Sequence, residues 1–171
     1  MEYVNAGQRP RKFDDEVAPS VAERSLEDED LWEWSIKRFD ATWIPEIEAA
    51  IARPLPAMFR SLIARFIYPE FQWKEVVFFG NTPERIGNAA HELRVALTRD
   101  RRMSEVLMAN GYIQFAQPSV GSYDPVCFQP GGAVDAPVVR LDHEEILMKG
   151  RIQIVERIAS SFEKLISIPA A

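Results

Sequence analysis

Apolar residues recur at helical spacing between positions 44 and 67. Ile44, Ile47 and Ile51 share one helix face, and Pro45 suits the first turn of that helix. The segment Pro54-Leu55-Pro56 ends it and opens a second helix. A wide apolar stripe marks that second helix and is formed by Met58, Phe59, Leu62, Ile63, Phe66 and Ile67.

The next segment changes from helical spacing to a strand pattern. Phe71 to Phe79 is rich in aromatic and β-branched residues and predicts a strand. Gly80-Asn81 predicts a turn after it. Thr82 is then expected to cap a short helix that has Pro83 at its first position.

A longer helix is predicted from His91 to Asn110, closed by Gly111 in a left-handed conformation. Its apolar face is formed by Leu93, Ala96, Leu97, Met103, Val106 and Leu107. Asp100 interrupts this face, so we expect the helix to bend or break near Arg99 to Arg102.

Short apolar runs separated by proline and glycine follow this helix. They predict strands at Tyr112–Ala116, Val126–Phe128 and Val138–Leu141, whose spacing suits an antiparallel meander. The last stripe predicts a terminal amphipathic helix through Val155, Ile158, Ala159, Phe162, Leu165 and Ile166. This order of elements predicts an α+β fold, with an antiparallel sheet of about four to six strands and helices packed mainly on one side.

Charge divides the chain into a tail and a body. Residues 1–30 contain nine acidic and four basic groups, so they carry −5 of the net charge of −6 in this chain of 171 residues. They also lack apolar periodicity, which is typical of a flexible segment. We therefore predict an acidic, flexible tail over residues 1–30 and one α+β domain over residues 31–171. An acidic docking arm is the alternative interpretation of the tail.

The composition also disfavours several classes of function. A nearly neutral body offers phosphate backbones little electrostatic attraction, so nucleic acid is not expected as a partner. No apolar run approaches the roughly 20 residues that span a bilayer, and the N-terminus lacks the pattern of a signal peptide. The single cysteine, Cys127, fits a reducing compartment. We expect a cytoplasmic protein without a membrane segment.

The densest polar cluster, Asp142-His143-Glu144-Glu145, has two interpretations. One is a metal site, for which His91 and Cys127 are the only other His or Cys residues in the sequence. The other is the start of a helix, with Asp142 as the N-cap and Glu145 as its capping-box partner. The helix start explains more of these residues, so no metal site is predicted.

No other sequence pattern indicates catalysis or a cofactor. Cys127 lies in the apolar triplet Val126-Cys127-Phe128, which is typical of a buried, unreactive thiol. Gly131-Gly132 lacks the Lys-Ser/Thr of a phosphate-binding loop. The carboxylates show no spacing that singles out an acid–base pair. We predict no enzymatic activity and no cofactor.

Aromatic residues are the remaining candidates for a binding face, because they are enriched at the centres of protein interfaces. Trp43 is expected in the core, whereas burial and exposure stay equally open for Trp32 and Trp34. We predict a protein-binding surface that draws on Trp32, Trp34, Trp73 and Tyr123, of which only some are expected to be exposed.

Four stretches of the chain carry a family resemblance: Leu55 to Leu62, Ser122 to Phe128, Pro137 to Leu147 and Ile158 to Ile166. Taken in this order they resemble the SUKH superfamily, which includes a fungal regulator of cell-wall synthesis and many bacterial toxin-immunity proteins. Leu55 to Leu62 is similar to the Leu-Pro helix start of that family, and Ser122 to Phe128 to its DPVCFD strand. Pro137 to Leu147 is similar to its LDHEE strand and turn, and Ile158 to Ile166 to its terminal helix. Gln129 departs from the pattern, since the family usually has Asp there.

The resemblance implies an α+β domain that has no known enzymatic activity and works by binding another protein. The partner it suggests is a polymorphic bacterial toxin, which an immunity protein neutralises by covering the active site. A regulator or scaffold of the same fold without a toxin partner is the alternative, and a small-molecule-binding domain is a third. The oligomeric state stays open.

Overall fold

The computed structural model describes the backbone of residues 22–24, 32–34, 37–38, 43–81 and 91–167, and the side chains of residues 43–81 and 93–167. The helices in these ranges are α1 (Ile44–Ala50), α2 (Ala57–Arg65), α3 (His91–Thr98), α4 (Arg101–Ala109), α5 (His143–Lys149) and α6 (Phe162–Ile166). The short strands β1 (Ala22–Arg24), β2 (Trp32–Trp34), β3 (Lys37–Arg38) and β4 (Phe66–Ile67) form two separate pairs, β1 with β2 and β3 with β4.

One antiparallel sheet organises the rest of the described chain. Its strands are β5 (Phe71–Trp73), β6 (Val76–Phe78), β7 (Ile113–Pro118), β8 (Val126–Phe128), β9 (Val138–Leu141) and β10 (Ile154–Ala159). They lie side by side in chain order, and each neighbouring pair is antiparallel. The predicted α+β fold and antiparallel meander are therefore confirmed. No helix within the described residues has the length and apolar character needed to cross a membrane.

The main core lies between one face of this sheet and four helices, α1, α2, α3 and α6. Phe162 of α6 stands at its centre, and its ring meets those of Phe59, Phe78, Phe115 and Phe128 at centroid separations of 5.4 to 6.1 Å. Tilted and edge-on aromatic contacts of this kind add to the stabilisation from buried apolar area. Trp43 is also buried in this core, as predicted.

A smaller core covers the opposite face of the sheet. Cys127 and Val139 are paired across β8 and β9, and alternation along a strand points them away from the main core. Met103 and Leu107 of α4 and Ile146 of α5 pack on them. Cys127 is fully buried, as predicted, and this burial raises the pKa of its thiol well above its ordinary value.

The helix predicted from His91 to Asn110 breaks where the sequence indicates. Asp100 has an extended backbone and its carboxylate accepts a hydrogen bond from the Met103 N–H at 2.9 Å, so it is the N-cap of α4. A carboxylate in this position satisfies one of the free N–H groups of the first helical turn. The chain therefore forms α3 and α4 as two helices, with the polar Asp100 at the junction.

Two predicted elements have wrong boundaries between residues 66 and 79. The second helix ends at Arg65, and the apolar pair Phe66–Ile67 is the strand β4. The single strand predicted over Phe71–Phe79 is a hairpin, with Lys74 and Glu75 as its two-residue turn. Lys74 has a φ of 56°, because the twist of a two-residue hairpin favours left-handed backbone there.

The prediction of a long terminal helix is wrong in its first half. Ile154–Ala159 is the edge strand β10, paired with β9, and only Phe162–Ile166 is helical. Backbone N–H and C=O groups along the outer edge of β9 need partners, and β-branched residues at 154, 155 and 158 suit a strand. Ser161 then starts α6 by accepting a hydrogen bond from the Lys164 N–H.

Two further predictions concern residues outside the described ranges. The short helix predicted after Thr82 lies there, as does most of the acidic tail predicted over residues 1–30. The boundary between that tail and the domain over residues 31–171 stays a prediction.

Candidate protein-binding surface

The loop between β7 and β8 exposes two large apolar side chains. Val120 is 83% exposed and Tyr123 is 84% exposed, the highest values among the large hydrophobic residues described. An exposed aromatic ring that keeps a fixed position loses little conformational entropy on binding and offers a large contact area. Of the two predicted surface residues whose side chains the structure describes, Trp73 and Tyr123, Tyr123 is the exposed one.

Asp124 fixes this loop to the start of α5. Its Oδ1 accepts a hydrogen bond from the His143 backbone N–H at 3.1 Å. The same oxygen lies 2.7 Å from the His143 Nδ1, within hydrogen-bond distance. Its Oδ2 lies 3.9 Å from the Arg140 Nε, and its own backbone N–H bonds to the Ser122 hydroxyl. The Tyr123 ring stands edge-on to the His143 ring at 6.3 Å between centroids. The exposed aromatic is therefore carried by an anchored segment.

Opposing effects act on the Asp124 carboxyl. Burial raises its pKa, but hydrogen bonds from the His143 ring, the His143 N–H and Ser122, together with the charge of the imidazolium, outweigh burial. The pKa of Asp124 consequently lies below its ordinary value, and the ionised carboxylate stabilises the folded state.

We expect the Asp124→Asn variant to lose about 1–2 kcal/mol of unfolding free energy at pH 5, since hydrogen bonds to charged groups are worth somewhat more than neutral ones. A lowered folded-state pKa gives stability that is present above the unfolded value of about 3.9 and is lost as pH falls through the folded value. The gap between the two proteins should therefore shrink between pH 4 and pH 2 in urea titrations. Glu144→Gln, at an exposed position, is the control. A gap that is constant with pH would contradict this assignment.

The start of α5 confirms the predicted N-cap but not the whole capping box. The Asp142 Oδ1 accepts the Glu145 N–H at 3.0 Å, as expected. The Glu145 side chain does not return to the N-cap; it forms ion pairs with Lys149 and Arg151. Those two cations lower the pKa of Glu145.

A three-residue polar cluster forms at this helix start, with ligand atoms of Asp124, Asp142 and His143 within 4.8 Å of one another. Their atoms already serve other bonds: Asp124 holds His143, and Asp142 caps α5. The guanidinium of Arg140 also lies beside Asp124, and a cation next to a carboxylate opposes the binding of a metal ion. Internal hydrogen bonds therefore account for the cluster, and we assign no metal to it.

The pairing of a carboxylate with a histidine Nδ1 is also how enzymes orient a general base. A nucleophile would have to lie within hydrogen-bond reach of the ring. Among the described residues no serine, threonine or cysteine side chain bonds to His143. The pair has an evident structural use, tying the loop to α5, and the absence of enzymatic activity stays a prediction.

Trp73 has a different environment from Tyr123. It is half-buried at the end of β5, and its indole N–H donates to the Leu165 carbonyl at 2.9 Å. The neighbouring Lys74 Nζ also bonds to that carbonyl, at 3.0 Å, and to the Ser167 carbonyl at 3.3 Å. Both side chains thus satisfy carbonyls at the end of α6, where helices leave them without partners.

The other two predicted anchors, Trp32 and Trp34, belong to β2, where they pair with Arg24 and Ala22 of β1. Their side chains lie outside the described residues. The structure therefore does not bring the four aromatics together as one described face.

A cavity of about 490 Å³ lies between the segments that carry Trp73 and Tyr123. Lys74 and Glu75 of the β5–β6 turn and Val120 of the β7–β8 loop contribute to its wall. No local sequence pattern indicates this cavity, since its residues come from six separate segments. In comparisons with protein-family models, curated proteins and solved structures, the chain matches none.

Proposed function

We propose that this protein is a non-catalytic protein-binding domain of the SUKH type, and that it serves as an immunity protein against a bacterial toxin. The observation that carries the proposal is Tyr123, an aromatic ring that is 84% exposed on a loop anchored by Asp124. Binding surfaces concentrate their energy in a few such aromatic anchors.

Anchoring contributes to affinity because it lowers the entropy lost on association. The bonds from His143 to Asp124 hold the residue next to Tyr123 in the free protein. A partner that covers the ring then needs to order little else in this loop, which is the general benefit of preorganisation.

The SUKH resemblance supports the same proposal from the sequence. Two of the stretches that carry it, Ser122 to Phe128 and Pro137 to Leu147, contain Asp124 and His143, which bond to each other. An α+β domain with an antiparallel sheet is also what that resemblance implies.

The test is co-expression with the toxin encoded directly upstream, followed by affinity measurement on the purified complex. We expect Tyr123→Ala to weaken binding about 30-fold or more, the effect of losing an interface anchor worth about 2 kcal/mol. Val134→Ala, an exposed apolar residue on the loop between β8 and β9, is the matched control and should leave the affinity unchanged.

Two outcomes would count against the proposal. A complex that forms equally well with Tyr123→Ala would reject this loop as the binding face. Failure of the wild-type protein to bind or neutralise the upstream toxin would reject the immunity role and favour a regulator or scaffold.

A further inference from the structure

The cavity beside the anchored loop has a charge opposite to that of the chain as a whole. The sequence carries a net charge of −6, yet three cationic side chains and two acidic ones line this space. Its volume of about 490 Å³ falls within the usual range of ligand pockets, roughly 300–1,000 Å³. Its accessible apolar lining includes Val120 of the β7–β8 loop and Ile158 and Ala159 of β10.

Two of the cations have no carboxylate partner among the described residues. Lys164 of α6 is exposed and forms no ion pair there. The Lys74 ammonium bonds to the Leu165 and Ser167 carbonyls and lies 6.0 Å from the centroid of the Trp73 ring. Carbonyl oxygens satisfy hydrogen bonds but leave the formal charge in place. Both lysines therefore retain the capacity to attract an anion.

The third cation, Arg140, already forms an ion pair with one carboxylate. The Arg140 Nη2 lies 3.3 Å from the Glu156 Oε2, while its buried Nε has no hydrogen-bond partner among the described residues and stands 3.9 Å from the Asp124 Oδ2. A buried donor without a partner is costly and uncommon in folded proteins. Arg140 thus connects the cavity to the residue that anchors Tyr123.

We propose that this cavity receives an acidic side chain from the protein partner, flanked by apolar residues that contact Val120, Ile158 and Ala159. The inference rests on the proposed function in so far as the occupant is part of another protein. The surplus of cations selects a carboxylate, and the apolar floor selects aliphatic neighbours. Tyr123 and this cavity then form adjoining parts of one interface, joined through Asp124 and Arg140.

A pair of short peptides tests the cavity without requiring the natural partner. The probes are acetyl-Ala-Val-Glu-Val-Ala-amide and the same peptide with Gln in place of Glu, titrated to millimolar concentration into ¹⁵N-labelled protein. We expect the Glu peptide to shift the amide resonances of Val120, Ile158 and Ala159, which line the cavity. The Gln peptide should bind about two- to fivefold more weakly, the effect of one partly exposed ion pair.

Substitution of one lysine tests whether its charge causes the preference for the Glu peptide. Lys164→Gln should remove the preference for Glu over Gln, and its exposed position makes misfolding a minor concern. Lys149→Gln, at an exposed lysine of α5 outside the cavity, should keep the preference. Shifts elsewhere on the protein, no shifts, or equal affinity for both peptides would overturn the proposal. The toxin-binding assay reports separately on the proposed function, because it needs neither peptide.

Discussion

Phe162→Ala is expected to destabilise the protein by about 3–5 kcal/mol, the usual cost of removing a buried aromatic side chain. Phe162 is fully buried, and its ring contacts four other phenylalanine rings from α2, β6, β7 and β8. Alanine would leave a cavity among these rings, three of which are held in place by strands of the sheet and cannot move to fill it. Since domains of this size are stable by only about 5–15 kcal/mol, the variant should unfold at a clearly lower urea concentration.

Tyr123→Ala is the matched control, because it also truncates an aromatic residue to alanine but at an exposed position. Its effect on unfolding free energy should stay within about 0.5 kcal/mol, as for most surface substitutions. A loss below 1 kcal/mol for Phe162→Ala would show that α6 is not an element of the core. A large loss for Tyr123→Ala would show that its ring stabilises the fold, which would complicate its use as a binding probe.

Local sequence patterns predict much of this fold because short-range effects decide the elements concerned. The strands Val126–Phe128 and Val138–Leu141 have the predicted bounds, and turn residues flank both. Apart from Arg140, their residues are buried and apolar. Asp100 marks the break between α3 and α4 because a short polar side chain inside an apolar stripe is better used as a cap.

The errors occur where a long-range partner overrides local spacing. The apolar residues at 155, 158 and 159 fit a helix continuous with Phe162. The segment instead pairs with the free edge of β9 and forms the strand β10. Similarly, no glycine or asparagine marks the turn at Lys74–Glu75. The left-handed backbone of Lys74 brings its ammonium to carbonyls at the end of α6, a contact between residues about 90 positions apart.

The candidate site shows the same division between local and distant information. The N-cap role of Asp142 depends on nearby residues, and the capping pattern predicts it. The sequence names Tyr123 as a candidate anchor but does not decide whether it is exposed. The bond between Asp124 and His143 joins two motifs 19 residues apart, so only their meeting across β8 and β9 reveals it. The charge of the cavity depends on residues from four segments and therefore has no counterpart in any local pattern.

A second large effect is expected at Asn81, a polar residue that is only 1% exposed. Its Oδ1 accepts the Tyr68 N–H at 2.8 Å, and its Nδ2 donates to the Phe66 carbonyl at 2.8 Å. Its own N–H bonds to the Tyr68 carbonyl at 3.0 Å. One amide side chain thus satisfies two backbone groups where α2 leads into β4 and β5.

Asn81→Ala should cost about 2–4 kcal/mol of unfolding free energy, because each buried backbone group that loses its partner costs about 1–3 kcal/mol. Tyr68→Phe gives the contrasting control at the same place. The Tyr68 hydroxyl is buried and bonds to no described residue, so its removal should leave stability unchanged or slightly higher. Urea unfolding of both variants measures the difference. Equal stability of Asn81→Ala and wild type would mean that water replaces the amide, and that Asn81 does not hold these two segments together.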